Sequence, residues 1–263
     1  MKLSISNIAW EAADDEVVYR HLESLGVKGL EIAPTRFFPE EPYSKLKEAE
    51  GVKRKLKNQY DLSISSMQSI WYGKTEKIFR SEMDRTTLFD YTKSAIDFAS
   101  VLNCHNLVFG CPQNRVIYDE ADYETAVKFF HDLGEYAYQK NTVLSLEANP
   151  VIYNTNFINT TSEAIDMVKR VESKGFKVNL DVGTIIYNQE YLEQISENVG
   201  LINHIHISEP YLAAIQQRSL HKELAEILSG KYHEFISIEM GKLGDLQEIY
   251  NTVIYVMEVF DGV

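Results

Sequence analysis

The sequence predicts an α/β fold, a single (β/α)8 TIM barrel covering residues 1–263 as one domain. Three observations predict it. Short runs rich in β-branched and apolar residues alternate with amphipathic stretches of helical length from one end of the chain to the other. Several of the runs are nearly continuous in apolar residues, as expected of parallel strands covered on both faces. The turn after the first run, SNIAWEAADD, has no glycine, whereas an open nucleotide-binding sheet normally carries a glycine-rich turn there.

The series opens with SISNIA near residue 5 and continues with GLEIA near 31 and LSISSMQ near 65. NLVFG near 108 and VLSLEAN near 146 are the runs that read as buried on both faces. KVNLDVG near 180, INHIHIS near 205 and FISIEM near 238 complete eight strands. Their centres lie about 25 to 45 residues apart, the length of one strand plus one returning helix. Between them stand helical patterns such as ETAVKFFHDLGEYAYQK and TSEAIDMVKRVESKG. The second offers Thr161, Ser162 and Glu163 as capping residues and Gly175 as its stop.

Length and a 44% hydrophobic content suffice for one large core. The formal net charge of −13 repels polyanions. The densest basic cluster, Lys53, Arg54, Lys55 and Lys57, suits the outside of a helix rather than a phosphate groove, so no nucleic-acid partner is expected. No apolar run approaches the roughly 18 residues of a membrane span and the first residues lack a signal-peptide core, so a cytoplasmic protein with no membrane partner is expected. Cys104 and Cys111 match neither a thiolate metal site nor a redox pair. Homo-oligomerisation is left open.

Chemistry concentrates at the ends of the last four strands, which carry Glu147 in SLEANP, Asp181 in NLDVGT, His206 in HIHISEP and Glu239 in SIEMG. In a barrel such ends converge on one mouth, where barrel enzymes place their catalytic residues. Any one of these acids is as well explained as the cap of the next helix. Four at the same depth are not, because helix capping has no reason to select one depth repeatedly. Three carboxylates and an imidazole suit a hard or borderline divalent ion, Mn2+ first, with Mg2+, Co2+ or Zn2+ as alternatives, and exclude a thiolate site. Removing a proton beside a carbonyl needs an electrophile on the oxygens and a base at the carbon, and this set supplies both.

The series LEANP, LDVG, HIHIS and SIEMG resembles the xylose isomerase-like superfamily of sugar and sugar-phosphate isomerases and epimerases, and GLEIAP near residue 31 resembles its second strand. The resemblance covers nearly the whole chain. In the ketose 3-epimerase branch the four matching positions bind the metal and the two glutamates exchange protons with the substrate. It therefore implies that Glu147, Asp181, His206 and Glu239 are ligands, and that Glu147 and Glu239 are also catalytic, acting through a metal-bound enediolate. Epimerases of free ketoses typically carry a histidine three residues after the metal aspartate, a glutamate six after the first metal glutamate and an arginine six after the metal histidine. Thr184, Tyr153 and Leu212 stand there in this chain, so substrate recognition does not transfer. The endonuclease branch uses extra histidines for three zinc ions. The corresponding segments SSMQSIW, FGCPQNR, DVGT and SEPYLAA lack them, which disfavours a DNA-repair nuclease.

Around the four ligands, Glu31 is expected to bind a substrate hydroxyl or orient a ligand. His204 lies one layer below His206 as a second-shell or core histidine, and Glu209 is a candidate acceptor for His206. Asn7, Gln68, Asn149 and Tyr153, with Trp10, Trp71, Tyr72 and Asn156, fall at or beyond strand ends and would line a polar, aromatic pocket. Arg36, Arg115 and Arg218 follow strands on the same side, and Arg115 and Arg218 are candidates for an anionic group of the substrate. The expectation is an isomerase or epimerase of a small polyhydroxy carbonyl compound, which would carry any anionic group itself. A keto-polyol dehydratase or lyase with the same site, and a non-catalytic sugar- or partner-binding barrel, are the alternatives.

Overall fold

Eight parallel strands close into a barrel in chain order, β1 to β8, with β8 returning to pair with β1. The computed structural model describes residues 2–261. The strands are β1 (Lys2–Ser6), β2 (Gly29–Ile32), β3 (Ser63–Met67), β4 (Leu107–Phe109), β5 (Leu144–Glu147), β6 (Phe176–Asp181), β7 (Ile202–Ile207) and β8 (Phe235–Ile238). Helices α1 (Asp15–Ser24), α2 (Pro34–Phe37), α3 (Leu46–Tyr60), α4 (Glu82–Leu102), α5 (Ala121–Gln139), α6 (Thr161–Val171), α7 (Val182–Asn188), α8 (Glu193–Asn198), α9 (Ser219–Leu228) and α10 (Leu246–Val259) make the connections. The single (β/α)8 barrel expected from the alternation is the fold found. No helix among the described residues is long and apolar enough to cross a membrane.

Alternation along each strand divides the barrel wall into two surfaces. Leu3, Ile5, Leu30, Ile32, Leu107, Phe109, Leu144, Leu146, Val178, Leu180, Ile205 and Ile236 are buried in the layer shared with the helices. Ser4, Ser65, Asn106, Ser145, Asn179, His204 and Ser237 are equally buried but polar. Four of them bond across strands: Ser4 Oγ to Ser65 Oγ at 2.6 Å, Ser145 Oγ to Asn106 Oδ1 at 2.6 Å, and Asn106 Nδ2 on to Ser66 Oγ at 2.9 Å.

Two details differ from the sequence expectation. Thr160, not Thr161, caps α6 in a reciprocal capping box with Glu163, and the helix ends where Glu172 turns left-handed at φ 52°, three residues before Gly175. Gly175 serves packing instead, because a Cβ there would collide with the Gly134 carbonyl of α5.

Candidate metal centre at the barrel mouth

Register decides which strand-end residues meet. A bulge between Val178 and Asn179 shifts β6 against β7 so that Asp181 lies opposite His206. Glu147 pairs with Asn179, two residues below Asp181, so the four residues are staggered along the barrel rather than level. The stagger does not separate them: one ligand atom from each of Glu147, Asp181, His206 and Glu239 lies within 4.8 Å of the others.

His206 is the hub. It has no exposed surface, and its Nδ1 lies 2.9 Å from Glu147 Oε1 and 3.1 Å from Glu239 Oε2. Its other nitrogen, Nε2, lies 2.9 Å from Glu31 Oε2. A proton on Nε2 donated to Glu31 leaves the Nδ1 lone pair facing the carboxylates. Nδ1 is buried and has no hydrogen-bond partner of good geometry, so the arrangement calls for a cation in front of it. Burial alone would lower the His206 pKa, but with no cation present the charges of Glu239 and Glu31 outweigh it and hold it well above its ordinary value, so a cation at Nδ1 would take the place of a proton there.

The carboxylates are supported individually. Asp181 caps α7: its Oδ2 accepts from Thr184 N and Thr184 Oγ1, both at 2.7 Å, and its Oδ1 accepts from Ser208 Oγ. Helix capping and membership of the cluster are therefore one role here. Glu147 Oε1 accepts from Asn179 Nδ2 at 2.8 Å and Oε2 from Asn149 Nδ2 at 3.0 Å. Burial and then the charge of Glu147 push Asp181 up to about 6, and burial pushes Glu239 up to about 7. Carboxylates crowded enough to hold protons near neutrality release them to a divalent ion, so the donor set fits such a metal.

Other expected site residues take different roles. Glu31 has no exposed surface, and its Oε2 lies 2.9 Å from His206 Nε2. Opposed histidines His206 and His204 outweigh its burial and lower its pKa. His204 is buried, with Nε2 3.4 Å from Glu31 Oε2. Glu209 does not touch His206: its carboxylate takes Arg218 Nε at 2.7 Å and Nη2 at 2.6 Å, which removes both Glu209 as an acceptor for His206 and Arg218 as a free anion binder. Arg115 is corrected in the same way. It is fully buried, and its guanidinium donates to the carbonyls of Gly110 (2.6 Å), Phe157 (2.5 Å) and Glu147 (2.8 Å) and to Asn149 Oδ1 (2.7 Å).

Asn7 Oδ1 accepts from Ala33 N at 2.9 Å and ties the segments that follow β1 and β2 together. Gln68 Nε2 donates to Ser6 Oγ at 2.8 Å and lies 3.4 Å from Glu31 Oε1. Asn149 joins Arg115 to Glu147 and so orients a carboxylate. Tyr153 remains at the mouth, half-buried, with its Oη accepting from Tyr211 N at 2.8 Å. Asn179 and Ser208 were not singled out from sequence. Asn179 stands two residues before Asp181, on the same face of β6, and that spacing was the signal available for it.

Over residues 19–253 the sequence matches the xylose isomerase-like TIM barrel family. The chain belongs to this family. No curated protein sequence matches it. Among solved structures, 3-keto-D-glucoside 4-epimerase YcjR from E. coli is 17% identical, with 98% of this chain and 99% of that one covered and a TM-score of 0.78. D-psicose 3-epimerase from Clostridium cellulolyticum H10, solved with D-tagatose, is 16% identical over 99% of each chain, with a TM-score of 0.77. The IolI protein, solved with a zinc atom, is 15% identical over 99% of this chain and 98% of that one, with a TM-score of 0.75. At these identities the likeness is one of fold, so this xylose isomerase-like barrel has to be read from its own side chains.

Proposed function

We propose that this barrel is a divalent-metal-dependent sugar isomerase or epimerase that moves a proton at a carbon beside a carbonyl group. The observation that carries the reading is the meeting of Glu147, Asp181, His206 and Glu239, drawn from four strands, around the Nδ1 of a histidine whose Nε2 is occupied by Glu31. A Mn2+ ion, or Mg2+, Co2+ or Zn2+, held by these four would draw electron density from the substrate's oxygens and acidify the neighbouring C–H. Two of the similar folds are sugar epimerases by name and a third holds zinc, which supports the class without specifying the substrate.

Glu147 and Glu239 carry the proton. They reach His206 Nδ1 from β5 and β8, on either side of β7, and so present two carboxylates to a molecule seated between them. One removes the proton and the other returns one to the opposite face. Glu147 is aimed by Asn179 and Asn149, and Asn149 is itself held by Arg115.

The test is incorporation of solvent deuterium beside the carbonyl of keto-sugars by the Mn2+-loaded protein. Glu147→Gln and Glu239→Gln should each abolish it with circular dichroism unchanged. Exchange that persists in both variants rules this mechanism out.

A further inference from the structure

The two carboxylates of the proton-transfer site, taken as proposed above, are not held alike, and the difference leads to a buried arginine. Arg115 has no exposed surface, and every N–H of its guanidinium is spent on a neutral oxygen. Nε donates to Gly110 O and Nη1 to Phe157 O and Ile158 O, while Nη2 donates to Glu147 O at 2.8 Å and to Asn149 Oδ1 at 2.7 Å. A guanidinium does not shed its charge, and burying it without a counter-charge is costly. The carboxylate that answers it is Glu147, one amide away: Asn149 Nδ2 donates to Glu147 Oε2 at 3.0 Å. A cation on the amide oxygen polarises the amide and strengthens that donation.

The chain nearby is shaped to this relay. Gly110 has no room for a side chain, because a Cβ there would lie 2.9 Å from Glu147 Oε2 and 3.5 Å from Asn149 Oδ1. Cys111 is left-handed at φ 47°, a conformation a side chain disfavours, and the turn Pro112–Asn114 then returns Arg115 to the Gly110 carbonyl, 2.6 Å away. Asn149 is held in turn by Asn159 Nδ2, which donates to its carbonyl at 2.8 Å. Asn179 supplies a second amide to Glu147 Oε1, so both oxygens of Glu147 are engaged. Both oxygens of Asp181 are engaged as well, by Thr184 and Ser208. Glu239 differs: its one hydrogen-bonding contact among the described residues is Oε2 with His206 Nδ1 at 3.1 Å.

We infer that Arg115 is a positioning residue for the proton transfer. Acting through Asn149, it holds Glu147 in one orientation, so that Glu147 exchanges its proton from a fixed place while Glu239 turns from His206 toward the substrate.

The experiment measures Mn2+ affinity by competition with a chelating dye, and kcat and KM for solvent-deuterium exchange into the best of a panel of ketohexoses. Asn149→Ala leaves Arg115 in place and cuts the relay. It should weaken Mn2+ binding about tenfold and lower kcat by roughly 10- to 100-fold, with KM within about twofold. Arg115→Ala should do the same, and millimolar guanidinium should restore Arg115→Ala but not Asn149→Ala. Thr155→Val removes a hydroxyl that donates to Arg115 O at 3.3 Å, in the same loops but off the relay, and should match the parent. Asn149→Ala with parental Mn2+ affinity and kcat, or Thr155→Val as damaging as Asn149→Ala, overturns the relay. Guanidinium that restores the Tm of Arg115→Ala but not its Mn2+ affinity leaves the arginine a packing role only and overturns it too. If Arg115→Ala does not fold, Asn149→Ala and Thr155→Val decide. In crystals of the metal-free and Mn2+-loaded protein the Glu147 carboxylate should superpose and that of Glu239 should turn; a displaced Glu147 or an unmoved Glu239 overturns the division between them. A parent that exchanges with no ketohexose counts against the proton-transfer reading alone, because the Mn2+ affinities still decide the relay.

Discussion

The two faces of the barrel wall are made by the same strands and obey opposite rules. On the outer face, Ile5, Leu30, Phe109, Leu146, Leu180 and Ile236 are buried against the helices, and their identity matters through volume and apolar area. On the inner face, Ser4, Glu31, Asn106, Ser145, Asn179, His204 and His206 are just as buried but depend on hydrogen bonds and charge. Bulky branched residues normally fill such an interior. A polar interior costs stability, and each buried group must find a partner. The difference teaches that the outer face holds the barrel together and the inner face is arranged toward one point, His206 Nδ1.

The largest effect separating the two faces is expected at the two carboxylates proposed to carry the proton. Glu147→Gln and Glu239→Gln should each lower turnover by about 100- to 10,000-fold while leaving the urea midpoint near that of the parent. An unfolded variant, or one with full turnover, would mean the inner face is structural after all. The opposite result is expected from Phe109→Ala, which removes a ring packed 4.7 Å from Trp71 and 5.0 Å from Phe130, centroid to centroid. It should cost about 3–5 kcal/mol in urea unfolding and leave metal affinity of the folded protein within twofold.

Between these extremes lie the residues that aim the ligands. Glu31→Gln and Asn179→Ala should weaken Mn2+ or Zn2+ binding by roughly 10- to 100-fold, read by competition with a chelating dye. Unchanged affinity in both would show that the cluster is already rigid without them.

The smallest effect expected is a pH dependence. In chelator-treated protein, Asp181 and Glu239 hold their protons up to about 6 and about 7, against ordinary values of 3.8 and 4.5. Between the ordinary and the shifted values the folded chain therefore binds more protons than the unfolded one, and stability is lost as pH rises through that window. The His206 pKa, also raised, acts in the same direction. Metal competes with those protons, so the gain in Tm on adding Mn2+ should grow as pH rises from about 5 to 8. A gain that shrinks over that range would contradict the cluster as the binding site.

Much of this was legible in the chain. Apolar runs that stop on Glu147, Asp181, His206 and Glu239 disclose both the strands and their chemistry, because an ionisable side chain at the end of a buried run needs a partner. What surrounds the four was not legible. Glu31 and His206 are 175 residues apart, and only barrel closure brings them to 2.9 Å. Arg115 and Arg218 look free in sequence, yet one is saturated by backbone carbonyls and the other by Glu209. A guanidinium's partners are set by loop paths that local periodicity does not encode.

By itself, then, the order of residues determined the eight strand–helix units and the four metal-type side chains, since both depend on local pattern along the chain. Tertiary structure alone decided the stagger of the ligands, the nitrogen that His206 turns toward them and the loss of the arginines as anion binders. These depend on strand register and closure, which bring together atoms whose separation in sequence carries no trace of their distance in space.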